Sequence, residues 1–363
     1  MIKAILHNSK FAGIPNGDGG HRRTAQIKEL VNLSGSEAND IKITPVPKLD
    51  KYISGINCIA KYKLKIFPSY KVIGDCGQKY HIYHKYLTEH QGAKALVWEA
   101  TENYIAPYVA KQFGFKILAL PHNIESLVTD HADPLTRKYL PDSLESEIYH
   151  LAKADAIFCI SREEQWLLKL RGINADFLPY YPPKSILSNL LEIRQSRKNS
   201  QPRRFLIVGT AENPPTRLGM IEQIQWLSEI ETLLDCEVDI AGYGTEKLQE
   251  YCKSPKFILH GAVEQKKLNH LLINAKAVLV HQKAGVGALT RIPEMIIAGI
   301  PVIANSNTCR SAFDYPGIYC YDNKHEMANL LFKNLDTPVM LERPISAEKR
   351  FIDCLQELST SST

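Results

Sequence analysis

Gly285-Val286-Gly287-Ala288-Leu289-Thr290-Arg291-Ile292-Pro293-Glu294-Met295-Ile296-Ile297-Ala298-Gly299-Ile300-Pro301-Val302-Ile303-Ala304 reads as a glycine loop, a helix, a turn and a buried strand. It follows the β-branched run Ala277–His281, so the order is strand, loop, helix, strand. The two glycines let the main chain approach a ligand closely. A helix beginning at Thr290 would aim free N–H groups and a positive dipole end at the loop, which suits phosphate oxygens. Thr290 is a capping residue, and Arg291 adds a cation with forked donors. Glu294 falls about one turn further on, where a carboxylate can accept from two neighbouring hydroxyls. The parts that a nucleoside diphosphate needs are therefore together, although a plain strand-to-helix joint would use the same pattern.

Working outward, the second half of the chain keeps this rhythm. Arg204–Gly209, Glu237–Gly242, Lys256–His260, Ala277–His281, Ile300–Asn305 and Ile318–Tyr321 read as strands. Leu218–Leu234, Thr245–Cys252, Gln265–Ala275, Thr290–Ala298 and His325–Asn334 read as helices. The first half alternates likewise, with strands at Lys3–Asn8, Asp40–Val46, Ala93–Glu99, Lys116–Pro121 and Ala156–Ser161. Its helices are expected at Thr24–Leu33, Ile105–Phe113, Ser143–Lys153 and Glu163–Leu170, while residues 50–92 give no clear pattern. Strands alternating with helices through short connections imply an α/β fold with parallel sheets. The boundaries read as 1–178 for a first domain, 179–202 for a proline-led, polar linker, and 203–340 for a second domain. Residues 341–363 hold an amphipathic C-terminal helix with Phe351, Ile352, Leu355 and Leu358 on one face. Parallel sheets bind ligands beyond the carboxyl ends of their strands, so two facing domains would put a site between them.

Composition removes several classes. The 363 residues are 44% hydrophobic and 23% charged, as in an ordinary globular protein. No apolar run approaches the ~18 residues of a membrane span, and the N-terminus has no secretory pattern, so a cytoplasmic protein is expected. The eight cysteines contain no Cys-x-x-Cys pair and read as buried thiols. A net charge of +5 is too small for a nucleic-acid footprint. Part of that excess is local: Lys48 to Lys71 holds six lysines and one aspartate, interleaved with Tyr52, Tyr62, Phe67 and Tyr70. This is either a solvated face or a surface for anionic lipid or a phosphate-bearing acceptor. His81, His84 and His90 lack a nearby carboxylate or thiol to complete a zinc set, so no metal is expected.

Several stretches together resemble the retaining glycosyltransferases of family four, whose two facing Rossmann-like domains make the GT-B architecture. Arg291–Ala304 is similar to that family's Glu-Ala-Met-x-x-Gly-x-Pro-Val segment. Phe205-Leu206-Ile207-Val208-Gly209 with Pro214-Pro215, Ala241-Gly242-Tyr243-Gly244 and His260-Gly261-Ala262-Val263 match its donor-domain strand ends. Leu120-Pro121-His122-Asn123-Ile124-Glu125 and Gly17-Asp18-Gly19-Gly20 match its first domain. The resemblance implies a hexosyltransferase that takes a nucleotide sugar, most readily UDP-linked, to a hydroxyl of a glycan or lipid-linked saccharide. Retention without metal and without any cofactor is implied, and the basic Lys48–Lys71 stretch with the lack of a membrane span points to peripheral association with the inner face of a membrane. Tyr243, Ala262 and Val263 would hold the base, Glu294 the ribose, and Gly287, Ala288, Leu289 and Thr290 the diphosphate, with Gly209 close by. Arg291 and Arg217 would supply charge, His122 would contact the transferred sugar, and Gly19 and Gly20 the phosphate or acceptor. The C-terminal helix would cross back onto the first domain.

Three positions depart from the family. Its glutamate eight residues before Glu294 is Val286 here, its arginine after the donor-domain glycine is Thr210, and its following lysine is replaced by Arg217. Losing that glutamate removes a contact that reads sugar hydroxyls. The metal-binding Asp-x-Asp element is missing too, Glu237-Val238-Asp239 being the nearest stretch. A nucleotide-sugar epimerase or hydrolase of the same fold, or a non-catalytic sugar-nucleotide-binding protein, is the alternative. A dinucleotide-dependent dehydrogenase lacks its fingerprint here, since Gly17-Asp18-Gly19-Gly20-His21 stands after the first strand.

Overall fold

A computed structural model describes residues 3–8, 11–14, 17–42, 44–65, 69–90, 92–101, 104–128, 144–230 and 237–360. The chain divides into two units, Met1–Tyr180 together with Pro344–Thr363, and Tyr181–Arg343. The first contains β1 (Lys3–Asn8), α1 (Gly19–Leu33), β2 (Ser36–Asp40), α2 (Lys48–Tyr62), α3 (Tyr70–Glu89), β3 (Ala95–Glu99) and α4 (Ile105–Gln112). It continues through β4 (Lys116–Leu120), α5 (Leu144–Leu151), β5 (Ala156–Cys159), α6 (Arg162–Leu170) and β6 (Asp176–Phe177). Its sheet is parallel, in the order β2-β1-β3-β4-β5-β6. Every residue of β3 is buried, because helices cover both faces of a parallel sheet. The order reverses at β1, so the switch point lies between the carboxyl ends of β1 and β3.

Three local readings are corrected here. The second strand occupies Ser36–Asp40 rather than Asp40–Val46, since Lys3 to His7 pair with Ser36 to Asp40. Helix α1 begins at Gly19, not Thr24, because Asp18 caps it by accepting from the amides of Gly20 and His21. Residues 50–92 hold the helical pair α2 and α3, which meet through glycines. A Cβ on Gly55 would lie 1.9 Å from the Ile73 carbonyl oxygen, and one on Gly77 1.6 Å from that of Lys51.

The second unit contains α7 (Lys184–Arg197), β7 (Arg204–Val208), α8 (Pro214–Glu229), β8 (Val238–Ala241), β9 (Phe257–Gly261), α9 (Gln265–Asn274) and β10 (Ala275–Val280). After these come α10 (Arg291–Ile297), β11 (Val302–Asn305), α11 (Ser306–Cys309), β12 (Ile318–Tyr321) and α12 (Lys324–Leu331). Its sheet is also parallel, in the order β12-β11-β10-β7-β8-β9, with the reversal between β7 and β10. The segment 179–202, read as a linker, carries α7 as part of this unit. Arg194 donates to the carbonyls of Ile296 and Ile297 at 3.0 and 3.2 Å, and Arg197 to those of Leu272, Ile273, Ala275 and Gly299 at 2.8–3.0 Å. The two arginines thus satisfy the last carbonyls of α10 and α9, where cations are favoured.

The chain ends in α13 (Ile345–Thr360), which returns to the first unit. Phe351 is wholly buried, its ring 5.3 Å from that of Phe158, and Leu355 joins the same core. Burial of one such side chain contributes about 1.5–3 kcal/mol. Together the two parallel sheets and the returning helix define a GT-B fold.

Candidate functional site

In the second unit, the carboxyl ends of the strands are tied main chain to main chain. Gly209 N donates to Ala241 O at 3.1 Å, Ala211 N to Tyr243 O at 2.8 Å, and Gly242 N to Gly261 O at 2.9 Å. A Cβ on Gly242, whose φ is +133°, would fall 1.9 Å from the Gly209 carbonyl oxygen. Only glycine fits this approach. At the switch point itself, Arg291 Nη1 donates to Val208 O at 2.6 Å, and the same nitrogen lies where a Cβ on Gly209 would be. Arg291 at the start of α10 therefore rests on the end of β7.

The loop 285–290 has its own clamp, which the sequence did not single out. Arg310 donates from Nε to Gly287 O at 3.0 Å, and from Nη2 to Val286 O at 2.7 Å and Gln282 Oε1 at 3.1 Å. Gln282 in turn exchanges bonds with Asn305, its amide donating to Oδ1 at 3.1 Å and its carbonyl accepting from Nδ2 at 2.7 Å. Gly287 takes a φ of +71° and is buried. Ala288 and Leu289 are half-buried.

Two expectations for this loop change. Thr290 occupies the cap position in a helical conformation and its side chain makes no cap bond. Helix α10 spans seven residues, so its dipole is short. Glu294 is only 1% exposed, in the first turn of α10. Arg217 is half-buried in the first turns of α8. Tyr243 and Ala262 are exposed at the strand ends, and Val263 is half-buried. Asp239, in the nearest acidic pair, is committed: Arg204 donates to it at 2.6 and 2.9 Å, and His260 lies 2.6 Å away.

The switch point of the first unit is built from side chains instead. His7 donates from Nε2 to Glu99 Oε2 at 2.6 Å and from Nδ1 to Asp40 Oδ1 at 2.9 Å. The other oxygen of Glu99 accepts from His122 Nε2 at 2.7 Å and from Thr24 Oγ1 at 2.6 Å. Lys28 closes the row on Asp40 at 2.6 Å. Strands β2 and β3 end in Asp40 and Glu99, His7 is the last residue but one of β1, and His122 follows β4.

The protonation states follow from the partners. Burial works against charge on His7, yet hydrogen bonds to Asp40 and Glu99 prevail and raise its pKa above the ordinary 6.5. A carboxylate oxygen against each ring nitrogen favours the imidazolium form of His7. Burial likewise opposes ionisation of Glu99, but bonds from His122 and His7 hold it well below the usual carboxylate range. The bond from His7, ahead of a smaller opposing effect of burial, takes Asp40 down to about 2.

His122 thus has one ring nitrogen fixed on a buried carboxylate, and its ring stacks on Phe11 at 5.2 Å. Phe11 also covers the glycine turn, its ring lying where a Cβ on Gly20 would be. The amide of Gly20 is taken by Asp18, so Gly19 and Gly20 form the capped first turn of α1. Of the three histidines considered for zinc, His81 bonds Ser54, His90 bonds the Tyr86 carbonyl, and His84 edges Phe113. His7, Asp40, Glu99, Phe11, Gln282, Asn305 and Arg310 were not anticipated. His7 and Glu99 carried a signal, each being a titratable residue at or near the carboxyl end of an otherwise apolar run.

No family model matches this sequence, and no curated protein matches it. Solved structures do. The chain is similar to sucrose-phosphate synthase from Thermosynechococcus elongatus, with a TM-score of 0.61 at 14% identity over 98% of this chain and 95% of that one. It is similar to HepE from Anabaena in complex with UDP, at 0.57 and 10% identity over 99% and 95%. It is also similar to UDP-GlcNAc 2-epimerase from Methanocaldococcus jannaschii, at 0.53 and 14% over 98% and 99%. Likeness at such low identity establishes the GT-B fold.

Proposed function

We propose that the chain is a glycosyltransferase that moves a hexose from a UDP-sugar to a hydroxyl of a glycan or lipid-linked saccharide, with retention and without metal. The carrying observation is the second unit's switch point, where Arg291 rests on the end of β7 against Gly209, which has no side chain to bar its approach. Arg291, Arg217 and the amides of Gly287 to Thr290 hold the diphosphate in this reading. Glu294 takes the ribose, and the turn around Tyr243 with Ala262 and Val263 takes the base.

As the bond to the nucleotide breaks, negative charge grows on the leaving phosphate, and preorganised cations and amides stabilise it. Retention follows when the acceptor hydroxyl enters on the face that the leaving group occupies. His122, fixed by Glu99, is assigned to the transferred sugar, and Val286 in place of a glutamate loosens the reading of that sugar's hydroxyls. The UDP bound to HepE, which shares this fold, supports a uridine nucleotide.

A second reading draws on the first unit. Paired acid–base groups at His7, Glu99 and His122 would also suit a proton-moving epimerase, and an epimerase shares the fold. Product analysis with a panel of UDP-hexoses separates the two. Free UDP and a glycosylated product that appear only with an acceptor support transfer, and the anomeric configuration of that product tests retention. A converted sugar nucleotide formed without acceptor supports epimerisation and overturns transfer.

A further inference from the structure

The solvent face of α2 is apolar where a free helix surface should be polar. Leu49, Ile53 and Ile56 are 70%, 51% and 57% exposed, and Ala60 is exposed as well. At 3.6 residues per turn these four positions fall on one narrow stripe. The opposite face is fully used, since Gly55 sits directly against the Ile73 carbonyl and Ser54 bonds His81 at 2.8 Å. The stripe therefore faces away from α3.

Its surroundings are cationic and aromatic. Lys48, Lys61, Lys63, Lys65 and Lys71 are exposed, against the carboxylates Asp50 and Asp75. Tyr70 is exposed and stacks on Tyr52 at 4.2 Å, with Lys51 Nζ 5.5 Å from the Tyr52 ring. Lys65 and Lys153 both lie over Tyr149, at 4.1 and 4.2 Å, which extends the charged surface toward α5.

We propose that α2 and the start of α3 form a rigid platform that docks on an anionic lipid bilayer. The aliphatic stripe enters the headgroup boundary, the tyrosines lie at the interface, and the lysines meet lipid phosphates from flexible stems. A protein partner or second copy would satisfy the stripe alone. The exposed lysines at both ends of α2 and at the start of α3 favour a surface of extended negative charge. The proposal is independent of the reaction assigned above, because it uses no residue of either strand-end site.

Vesicle sedimentation tests it with the full chain. Wild type is mixed with phosphatidylcholine vesicles, with and without phosphatidylglycerol. One variant carries Lys48→Gln, Lys61→Gln, Lys63→Gln, Lys65→Gln and Lys71→Gln, and another Leu49→Ser, Ile53→Ser and Ile56→Ser. Circular dichroism and thermal unfolding check that both variants fold, and all substituted positions are surface positions. Wild type should pellet with the anionic vesicles at least about tenfold more tightly than with neutral ones, and each variant should lose about tenfold or more. The proposal is overturned if wild type stays in solution with anionic vesicles, if it binds both vesicle types alike, or if either folded variant binds as wild type does. Wild type sedimenting as a dimer that the serine variant dissociates would overturn it in favour of a second copy.

Discussion

The two sheets reverse their strand order in the same way, yet their switch points are finished in different materials. In the first unit, charged side chains fill the edge and satisfy one another: Asp40, His7, Glu99 and His122 form a continuous row, two of them closing a β-strand. In the second, the edge is main chain and glycine, held by Arg291 and Arg310 through carbonyl oxygens. A buried row of mutually paired groups holds protons in fixed places. The main-chain edge is instead cross-tied, its amides and its two arginines donating to neighbouring carbonyls. The same topology is therefore finished with paired titratable side chains in one unit and with main chain and guanidinium groups in the other.

Breaking the second edge should have the largest effect. Gly242→Ala places a Cβ against the Gly209 carbonyl at a φ that side chains rarely adopt, so unfolding measurements should show a loss of about 3–5 kcal/mol. Gly92→Ala is the control: nothing lies within 4 Å of its added Cβ, and it should change stability by no more than about 0.5 kcal/mol. An equal response at both positions would remove the argument that backbone contact builds the edge.

Breaking the first edge should cost nearly as much through a different mechanism. Glu99→Ala leaves His7 buried beside a lost counter-charge, which costs about 3–5 kcal/mol when one partner of a buried pair is removed. Urea unfolding of this variant beside Glu99→Gln measures it, the glutamine retaining shape and one acceptor and so losing less. Both substitutions remove the charge, so a glutamine variant as stable as wild type would mean that volume, rather than charge, matters at this position.

A smaller effect sharpens the contrast through pH. The pKa of His7 is raised in the fold, so its stabilising contribution is complete below the ordinary 6.5 and fades as pH climbs through the folded value. Asp40 shifts the other way, from 3.8 to about 2, so its contribution holds above the ordinary value and disappears as pH falls toward 2. The stability of wild type should therefore decline on the alkaline side, and His7→Gln should flatten that decline. Identical profiles for the two proteins would show that His7 is not held as an imidazolium.

The sequence carried the architecture well because buried parallel strands announce themselves. Ala95–Glu99 and Ala277–Val280 are apolar runs with polar residues waiting at their carboxyl ends. It failed at α2 and α3 for a specific reason. Apolar side chains point outward at Leu49, Ile53 and Ile56 and inward at Cys58, so the period that marks a helix is blurred. Gly55, Gly74 and Gly77 read as interruptions but permit close helix packing. The helix α7 was hidden by the prolines before it and the polar residues after it. Its arginines look solvated in sequence, and only the fold reveals the carbonyls that they cap. The strand β2 lacks β-branched residues altogether and is an edge strand held by its ladder to β1.

For the candidate site, local motifs and the family resemblance pointed to Arg291, Glu294 and His122. Arg310 could not be found that way, because it acts on a loop more than twenty positions earlier in the chain, across the end of β11. Glu99 and His7 are ninety-two positions apart and meet only because β1 and β3 are neighbours.

Isothermal titration of UDP into wild type and Arg291→Ala is the most direct measurement of whether the second edge receives a nucleotide diphosphate. Wild type should bind, and the variant should bind about ten- to a hundredfold more weakly, as expected for losing a charge-assisted hydrogen bond. No heat from wild type, or the same affinity in both proteins, would contradict the account.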